Sequence, residues 1–564
     1  MPPGTKRAFQ LAIVGACVGL VSVGFHDAVE WLFDNGLKRA AALSVPLFLV
    51  ASFASVVGAS ALASWLIHRF APAAGGGGVM PTKIAFWKDF GVIPLRTAVV
   101  KFFGSALTLG GGVSMGPEGP AVQIGAASAS ALGGWLGVAK QERRGFCACG
   151  AAAALAAAFN APLAAILFIL EEIIGDLNSR LISGILLAAV MGALVAHALV
   201  GAQPAYQVAV LGEPSWKGLL LCLLVAVVST VAGVAFQKGA MRLRGAMKTR
   251  LAFLPAAFKP TVGAVFSWAI AAGVFISCGQ LGVFGIGYGD VTQAIAGHLT
   301  LTAVLLLFVG KLLATIFAVG TGGCGGIFAP SFFIGAMSGA VVVEVAQRFT
   351  PLPPADASIL VMIGMCACLG AVIRTPLTCV LLIFEVTHQF SIVPFALLAT
   401  LVSQVLAHRL QHAGMYEEML RQDGLSPERV LPPRDYRRWK EMRVGAIAQY
   451  EVVTVTSRDA ASLADLLTRS QHQRFPVIDP EEKVVGVATR DQIQFALNNS
   501  TALEFYPAHW IGASSTLEAA QRAILDAHGD CLCVGDSGTG KLEGILTLHD
   551  FLRAQQRLSD DAAS

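Results

Sequence analysis

The chain has 564 residues, of which 55% are hydrophobic and only 13% charged, with a mean hydropathy of +0.66. An average soluble domain carries about 25% charged residues, so this composition excludes an ordinary globular protein and indicates one that crosses a membrane several times. The net charge of +4 is modest, and no stripe of Lys and Arg interleaved with aromatics marks a nucleic-acid partner.

Apolar runs long enough to span a bilayer are predicted near 8–25, 46–68, 147–170, 181–200, 217–236, 261–281, 299–318, 358–386 and 391–408. Lys6 and Arg7 precede the first run and no small-residue cleavage site follows it, so it reads as a retained span with a cytoplasmic N-terminus. Glycine-rich stretches at 75–78, 110–119 and 322–326 interrupt apolar sequence. Non-helical backbone at membrane depth is tolerated only where protein buries it or it lines a polar cavity, so these breaks indicate a pathway. Lys238, Arg242, Arg244, Lys248, Arg250 and Lys259 crowd a connection that is also cytoplasmic by the positive-inside rule. Cys17, Cys222, Cys278 and Cys379 lie inside apolar segments, and the Cys-x-Cys pairs at 147/149, 366/368 and 531/533 lack zinc spacing. They read as buried small hydrophobes, and no metal site is expected.

Gly116-Pro117-Glu118-Gly119-Pro120 is echoed 210 residues later by Gly326-Ile327-Phe328-Ala329-Pro330, and the block 160–171 returns 214 residues on as 374–385. The predicted architecture is therefore an all-α polytopic membrane domain over residues 1–430 with an inverted internal repeat, the copies covering roughly 45–200 and 260–410. Apolar halves broken by Gly and Pro at matching places point to a transporter with its site at the repeat interface. The copies disagree at two acids: Glu118 stands opposite Phe328, and Glu172 opposite Val386.

A glycine-rich turn with Pro at the start of an apolar helix leaves backbone N–H groups unpaired at the positive end of the helix dipole. Such an end attracts an anion without a buried Lys or Arg, whose full charge would trap it. The candidate turns open at Gly116, at Gly326 and around residues 75–78, with Ile327 and Phe328 offering N–H groups. A carboxylate in the same place is itself an anion, and it can leave once protonated. Glu118 would thus compete with the transported ion; the alternative is a helix-capping acid, but ionisable groups at membrane depth are costly and usually functional. Glu171 and Glu172 project roughly 100° apart on a helix and cannot share a role. Glu171 has a twin in Glu385, which points to a structural hydrogen-bonding task for both, whereas Glu172 has none and reads either as a second functional acid or as a solvated helix end. Arg374 and Lys311 read as partners for carbonyls or for acids such as Glu385, and Asn160 as a helix cap before Pro162.

After His408 the character changes, and a Pro- and charge-rich linker at 431–441 leads to a small α/β unit over 442–564. Two half-units, about 442–500 and 505–560, follow one order. The first reads as strand 452–455, helix 460–470, strands 475–478 and 484–489 and a helix; the second as helix 516–528, strands 531–534 and 544–547, and helix 549–557.

Residues 1 to about 430 resemble the CLC family of chloride channels and proton-coupled chloride transporters. Gly116-Pro-Glu-Gly-Pro120 matches that family's Gly-x-Glu-Gly-Pro, Gly325-Gly-Ile-Phe-Ala-Pro330 its Gly-x-Phe-x-Pro, and Tyr416 lies in the expected place before the cytoplasmic domain. The resemblance implies a homodimer with one pore per subunit, integral to the membrane (the inner plasma membrane in a bacterium), and voltage- or gradient-driven chloride/proton antiport. It casts Glu118 as the gating acid and Glu172 as the acid that passes protons from the cytoplasm, where channels usually carry an apolar residue. Tyr416 would offer its hydroxyl to the inner anion. The family's Gly-Ser-Gly-Ile-Pro reads here Gly76-Gly77-Gly78-Val79-Met80, so the central anion loop is Gly77 and Gly78 without the serine hydroxyl. In related proteins this position separates chloride-selective from nitrate-selective or fluoride-handling members, which leaves the anion open.

The unit at 442–564 resembles a tandem CBS pair, a cytoplasmic module that can hold a regulatory adenine nucleotide. By that resemblance Thr547 and Asp550 hold the ribose. The first copy keeps Thr489 but has Gln492 three positions on, with Asp491 one place early; the alternative is a pair that only packs and dimerises. No cofactor is required by this reading, and no enzyme activity is expected. The rival functions are a passive CLC chloride channel, a fluoride- or nitrate-selective variant, and a CBS-regulated divalent cation transporter, which would need acids clustered along the pore.

Overall fold

The computed structural model describes residues 3–177, 179, 181–201, 206, 215–425, 442–526 and 531–553. The linker at 431–441 lies outside them, as do residues 554–557 of the expected last helix. The chain divides into two compact units, 1–431 and 432–564.

Among the described residues of the first unit, nine helices are long and apolar enough to cross a membrane. Helices α1 (Pro3–Phe33) and α2 (Val45–Phe70) are followed by α3 (Val79–Lys88), α4 (Leu95–Gly110), α5 (Glu118–Trp135), α6 (Arg143–Phe159), α7 (Pro162–Phe168) and α8 (Ile182–Leu199). A long helix, α9 (Trp216–Thr249), leads to the second copy: α10 (Lys259–Cys278), α11 (Tyr288–Ile295), α12 (Leu301–Gly320), α13 (Phe328–Gln347), α14 (Pro354–Ile373), α15 (Pro376–Thr387) and α16 (Val393–Leu410). A short helix, α17 (Met415–Gln422), closes the unit.

Two of the predicted apolar runs are each broken in the middle. The run 147–170 stops at Asn160, in the left-handed region with φ 55°, before Pro162; the run 358–386 stops at Arg374, φ 59°, before Pro376. Proline has no N–H to donate and disfavours helical backbone in the residue ahead of it, so each run folds as two helices. Asn160 is thus the helix cap expected, at the C-terminal end of α6.

The helices that the two glycine-proline motifs open, α5 and α13, are largely buried and rich in Gly, Ala and Ser. Small residues let membrane helices approach closely. A Cβ at Gly125 of α5 would lie 2.4 Å from the Gly150 carbonyl oxygen of α6, and one at Gly335 of α13 would lie 2.3 Å from the Gly364 oxygen of α14. The duplicated copies therefore pack their central helix pairs through the same glycine contact.

In the second unit each half has its own core. Val455, Leu463, Phe475, Val477, Ala488 and Ile493 fill the first, and Val444, Leu517, Leu532, Val534, Leu546 and Phe551 are part of the second. The first half holds α18 (Ala460–Arg469), an antiparallel pair β1 (Arg474–Ile478) and β2 (Val484–Thr489), and α19 (Arg490–Asn499). The second holds β3 (Trp510–Ile511), α20 (Leu517–Asp526), β4 (Cys531–Asp536) and β5 (Lys541–Thr547), with β3 parallel and β5 antiparallel to β4. The strand expected at 452–455 does not form. Only Val455 bridges to β1, while Val453 is exposed and has no ladder to join. Burial pushes the thiols of Cys531 and Cys533, alternate residues of β4, up to about 12, as suits core packing.

Candidate anion and proton site

Three glycine-rich turns lie together, those before α3, α5 and α13. Gly116 N–H donates to the Gly326 carbonyl at 2.9 Å and Gly326 N–H to the Gly116 carbonyl at 2.5 Å, an antiparallel bridge between equivalent residues of the two copies. The third turn lies against the start of α5. Gly78 has φ 96°, and a Cβ there would sit 2.4 Å from the Gly119 carbonyl oxygen; a Cβ on Gly119 would sit 2.1 Å from the Gly77 oxygen. Gly77 itself is less confined, since a Cβ on it would meet only the Gly325 oxygen, at 3.6 Å.

A fully buried lysine supports the turn in each copy. Lys101 of α4 donates to the carbonyls of Ala74 (3.1 Å) and Gly76 (2.5 Å). Its counterpart 210 residues on, Lys311 of α12, donates to the carbonyls of Gly282 (2.9 Å), Gly285 (2.7 Å) and Ile286 (3.2 Å) and lies 4.8 Å from the centre of the Phe333 ring. Lys311 thus has the carbonyl partners expected, whereas Lys101 went unnoticed in the sequence although its spacing to Lys311 repeats that of the glycine motifs. Arg374 likewise donates to the carbonyls of Ala407, Gln411 and His412.

Glu385 is not their partner. Its carboxylate accepts the N–H groups of Leu163 (3.0 Å) and Ala164 (2.7 Å) at the start of α7. Glu171 does the same for α15, accepting from Leu377 N–H (3.2 Å), Thr378 N–H (2.8 Å) and the Thr378 hydroxyl (2.6 Å). Each copy caps a helix of the other, which is the structural task the twin acids pointed to. By letters alone, Gly112-Val-Ser-Met-Gly116 also spells a nucleophile elbow, but Ser114 is hydrogen-bonded to Thr315 at 3.0 Å inside the core.

Glu118 is 1% exposed and lies between the paired turns. Its Oε1 accepts from Ala329 N–H at 3.1 Å, and its Oε2 has no hydrogen-bond partner among the described residues. A Cβ at Gly116 or Gly326 would lie 2.2 or 2.9 Å from Oε2, so glycine at both positions makes room for the carboxylate. The amide it engages belongs to the residue after Ile327 and Phe328, the two expected donors. The Phe328 ring packs edge-on against Phe168, 4.9 Å between centres.

Glu172 sits on a π-helical turn, Ile169–Ile174, that continues α7. Its Oε1 lies 2.7 Å from Nζ of Lys83 on α3, and both residues are buried. Lys83 was invisible to the sequence reading because its partner is 89 residues away. Tyr416, at the start of α17, is buried. Chemically, two helix N-termini, an acid with one unengaged oxygen and a second acid nearer α17 can hold an anion and a transferable proton in one region.

In the second unit the Thr-x-x-Asp element is engaged locally. Asp550 is buried; its oxygens accept from Thr547 N–H (2.8 Å), the Thr547 hydroxyl (2.7 Å) and the Gln449 amide (3.1 Å). Thr489 and Gln492 form a reciprocal capping box at the start of α19.

Residues 58–408 match the family model for the voltage gated chloride channel, and residues 444–499 match that for the CBS domain. The chain is similar to a slow cyanobacterial Cl−/H+ antiporter of known structure at 25% identity and a TM-score of 0.67, covering 74% of this chain and 98% of that one. It shares its fold with a eukaryotic CLC transporter (20% identity, TM-score 0.62, 97% of this chain and 98% of that one). The same holds for a CLC-type fluoride/proton antiporter (21% identity, TM-score 0.59, 73% and 97%).

Proposed function

This chain belongs to the voltage-gated chloride channel family, and from that premise we propose that it exchanges chloride, or another small monovalent anion, for protons. One observation carries the reading of exchange. Glu118 fills the cleft between two helix N-termini with one carboxylate oxygen unengaged, a place that an anion would take when the protonated side chain leaves it. A second buried acid, Glu172, supports exchange over a passive channel, since it gives protons a station that a channel does not need. Tyr416, Gly77 and Gly78, with the N–H groups at Gly116, Gly326, Ile327 and Phe328, would line the anion's path. In this reading the protein is a homodimer with one pore per subunit, and its N-terminus and CBS unit are cytoplasmic. Purified protein in liposomes under a chloride gradient tests it directly: external pH should report uphill proton movement, and chloride flux without proton movement would leave a passive channel.

The anion preference is a separate question, raised by Gly77 and by the likeness to a fluoride/proton antiporter. Because a side chain at 77 meets little, Gly77→Ser should add a hydroxyl donor without displacing the turn. A hydrogen bond to a charged group contributes about 1.5 kcal/mol or more, so anion binding should tighten roughly tenfold and the order of chloride, nitrate and fluoride in a selectivity series should shift. An unchanged series would remove position 77 from the anion site.

For the soluble unit, an adenine nucleotide is the proposed regulatory ligand, held by Thr547 and Asp550 with Thr489 in the first half. Calorimetric titration with AMP and ATP should show binding that Asp550→Ala weakens. Affinity untouched by that change would leave helix capping as the role of Asp550.

A further inference from the structure

We infer that Lys83 is a positioning residue that governs when Glu172 accepts a proton and ties that event to the anion-facing turn. The inference rests on the reading of Glu172 as the cytoplasmic proton station. Four observations support it.

First, the pair is close and shielded from water, with 2.7 Å between Nζ and Oε1 and side chains 11% and 10% exposed. Charges brought together out of water interact far more strongly than at a surface, and removing one partner strands the other. A proton arriving on Glu172 therefore ends the ion pair. Among the described residues, the other charges that act on Glu172 are Glu417 on α17 and the adjacent Glu171. Both are acids, and Glu171 is committed to the start of α15. Among the described residues Lys83 is thus the counter-charge of Glu172.

Second, neither partner has a counterpart in the other copy. Aligning Gly78 with Gly287, the left-handed glycines that precede α3 and α11, puts Thr292 opposite Lys83, while Val386 stands opposite Glu172. Glu171, Glu385, Lys101 and Lys311 were duplicated with the fold, but this pair exists once and is complete where it exists.

Third, the acid is carried on a π-helical turn, a local departure from α geometry that occurs often at functional sites. Fourth, α3 connects the pair to the anion turn. Lys83 lies five residues beyond Gly78, about 7.5 Å along the axis, and Gly78 packs on the first turn of α5. The far end of α3 is fixed. The Arg144 guanidinium lies 5.4, 5.3 and 5.5 Å from the ring centres of Phe86, Trp87 and Phe90, and the Trp87 indole N–H donates to the Ile173 carbonyl at 3.0 Å. Release of Lys83 thus removes a charged tie from the middle of a short, buried helix whose N-terminal end meets the anion turn.

The test measures proton-coupled chloride exchange in liposomes as a function of pH on the cytoplasmic side, for the full chain and three variants. Lys83→Met should keep exchange but move its midpoint in the alkaline direction by about one pH unit or more, the usual effect of removing an opposite charge at this distance. Lys83→Arg, which keeps the charge, should stay close to the unsubstituted protein. An unmoved midpoint in Lys83→Met, proton movement lost at every pH, or a Lys83→Arg midpoint displaced as far as that of Lys83→Met overturns the inference. Should Lys83→Met not fold, Lys83→Gln keeps an N–H donor without the charge and puts the same question. Glu172→Gln is the separate arm: if it still moves protons at the original rate, the reading of Glu172 fails, whatever the lysine variants show.

Discussion

Glu118→Gln is expected to reduce proton movement to the leak of protein-free liposomes while chloride continues to pass. The amide has nearly the shape of the carboxylic acid. Its oxygen can still accept from Ala329 N–H, which now lies 3.1 Å from Oε1, and its nitrogen fits where Oε2 rests against Gly116 and Gly326. The substitution therefore leaves the packing of the paired turns intact and removes only two properties, the negative charge and the ability to bind and release a proton. Without the charge, nothing of the side chain competes with an anion at the two helix N-termini; without the titratable proton, anion movement has nothing to exchange against. Parallel records of chloride and external pH separate the two effects. Uphill proton movement that persists in Glu118→Gln would remove this residue from the coupling.

Gly119→Ala should abolish most anion flux through a purely steric effect. The added methyl would lie 2.1 Å from the Gly77 oxygen and 3.3 Å from the Gly326 Cα, all of it backbone. The turn at 75–78 cannot simply withdraw, because Lys101 holds it through the carbonyls of Ala74 and Gly76 from within the protein. Overpacking of this kind costs about 1–3 kcal/mol, and a displacement near 1 Å at a site that positions reacting groups can reduce a rate by about a hundredfold. A fall in chloride flux of at least tenfold, with thermal stability lowered but the protein still folded, is the expected outcome. Gly77→Ala is the control, since its methyl meets only the Gly325 oxygen at 3.6 Å and flux should persist. Equal flux in the two variants would show that the contact between the turn and α5 does not shape the pathway.

Much of this site could be read from the chain because it was written twice. The spacing of 210 and 214 residues between motif copies located the helix starts at Gly116 and Gly326 and picked out Glu118 and Glu172 as departures from the repeat. It also identified Glu171 and Glu385 as a structural pair, and the structure shows what the pair does: each acid caps the other copy's helix. The reading failed where a local pattern had to settle a question of position. The apolar runs at 147–170 and 358–386 looked continuous because hydropathy does not register that Pro162 and Pro376 break a ladder of hydrogen bonds. The strand at 452–455 had the right residues, but only Val455 has a neighbour to pair with. Nor does any local stretch show that Asp550, read as a ribose ligand, also accepts from Gln449, 101 residues away.

The sequence by itself determined the membrane class, the duplication, the glycine-proline turns and the two unmatched acids, because composition, repeat and backbone preference are properties of short segments. Only the tertiary structure decided which groups meet. Gly116 pairs with Gly326, Lys83 with Glu172, and Lys101 with the turn ahead of α3, across separations of 210, 89 and about 25 residues. A buried charge must find its partner wherever the packed chain brings one within hydrogen-bond reach, and that distance in space is not encoded in any local stretch of residues.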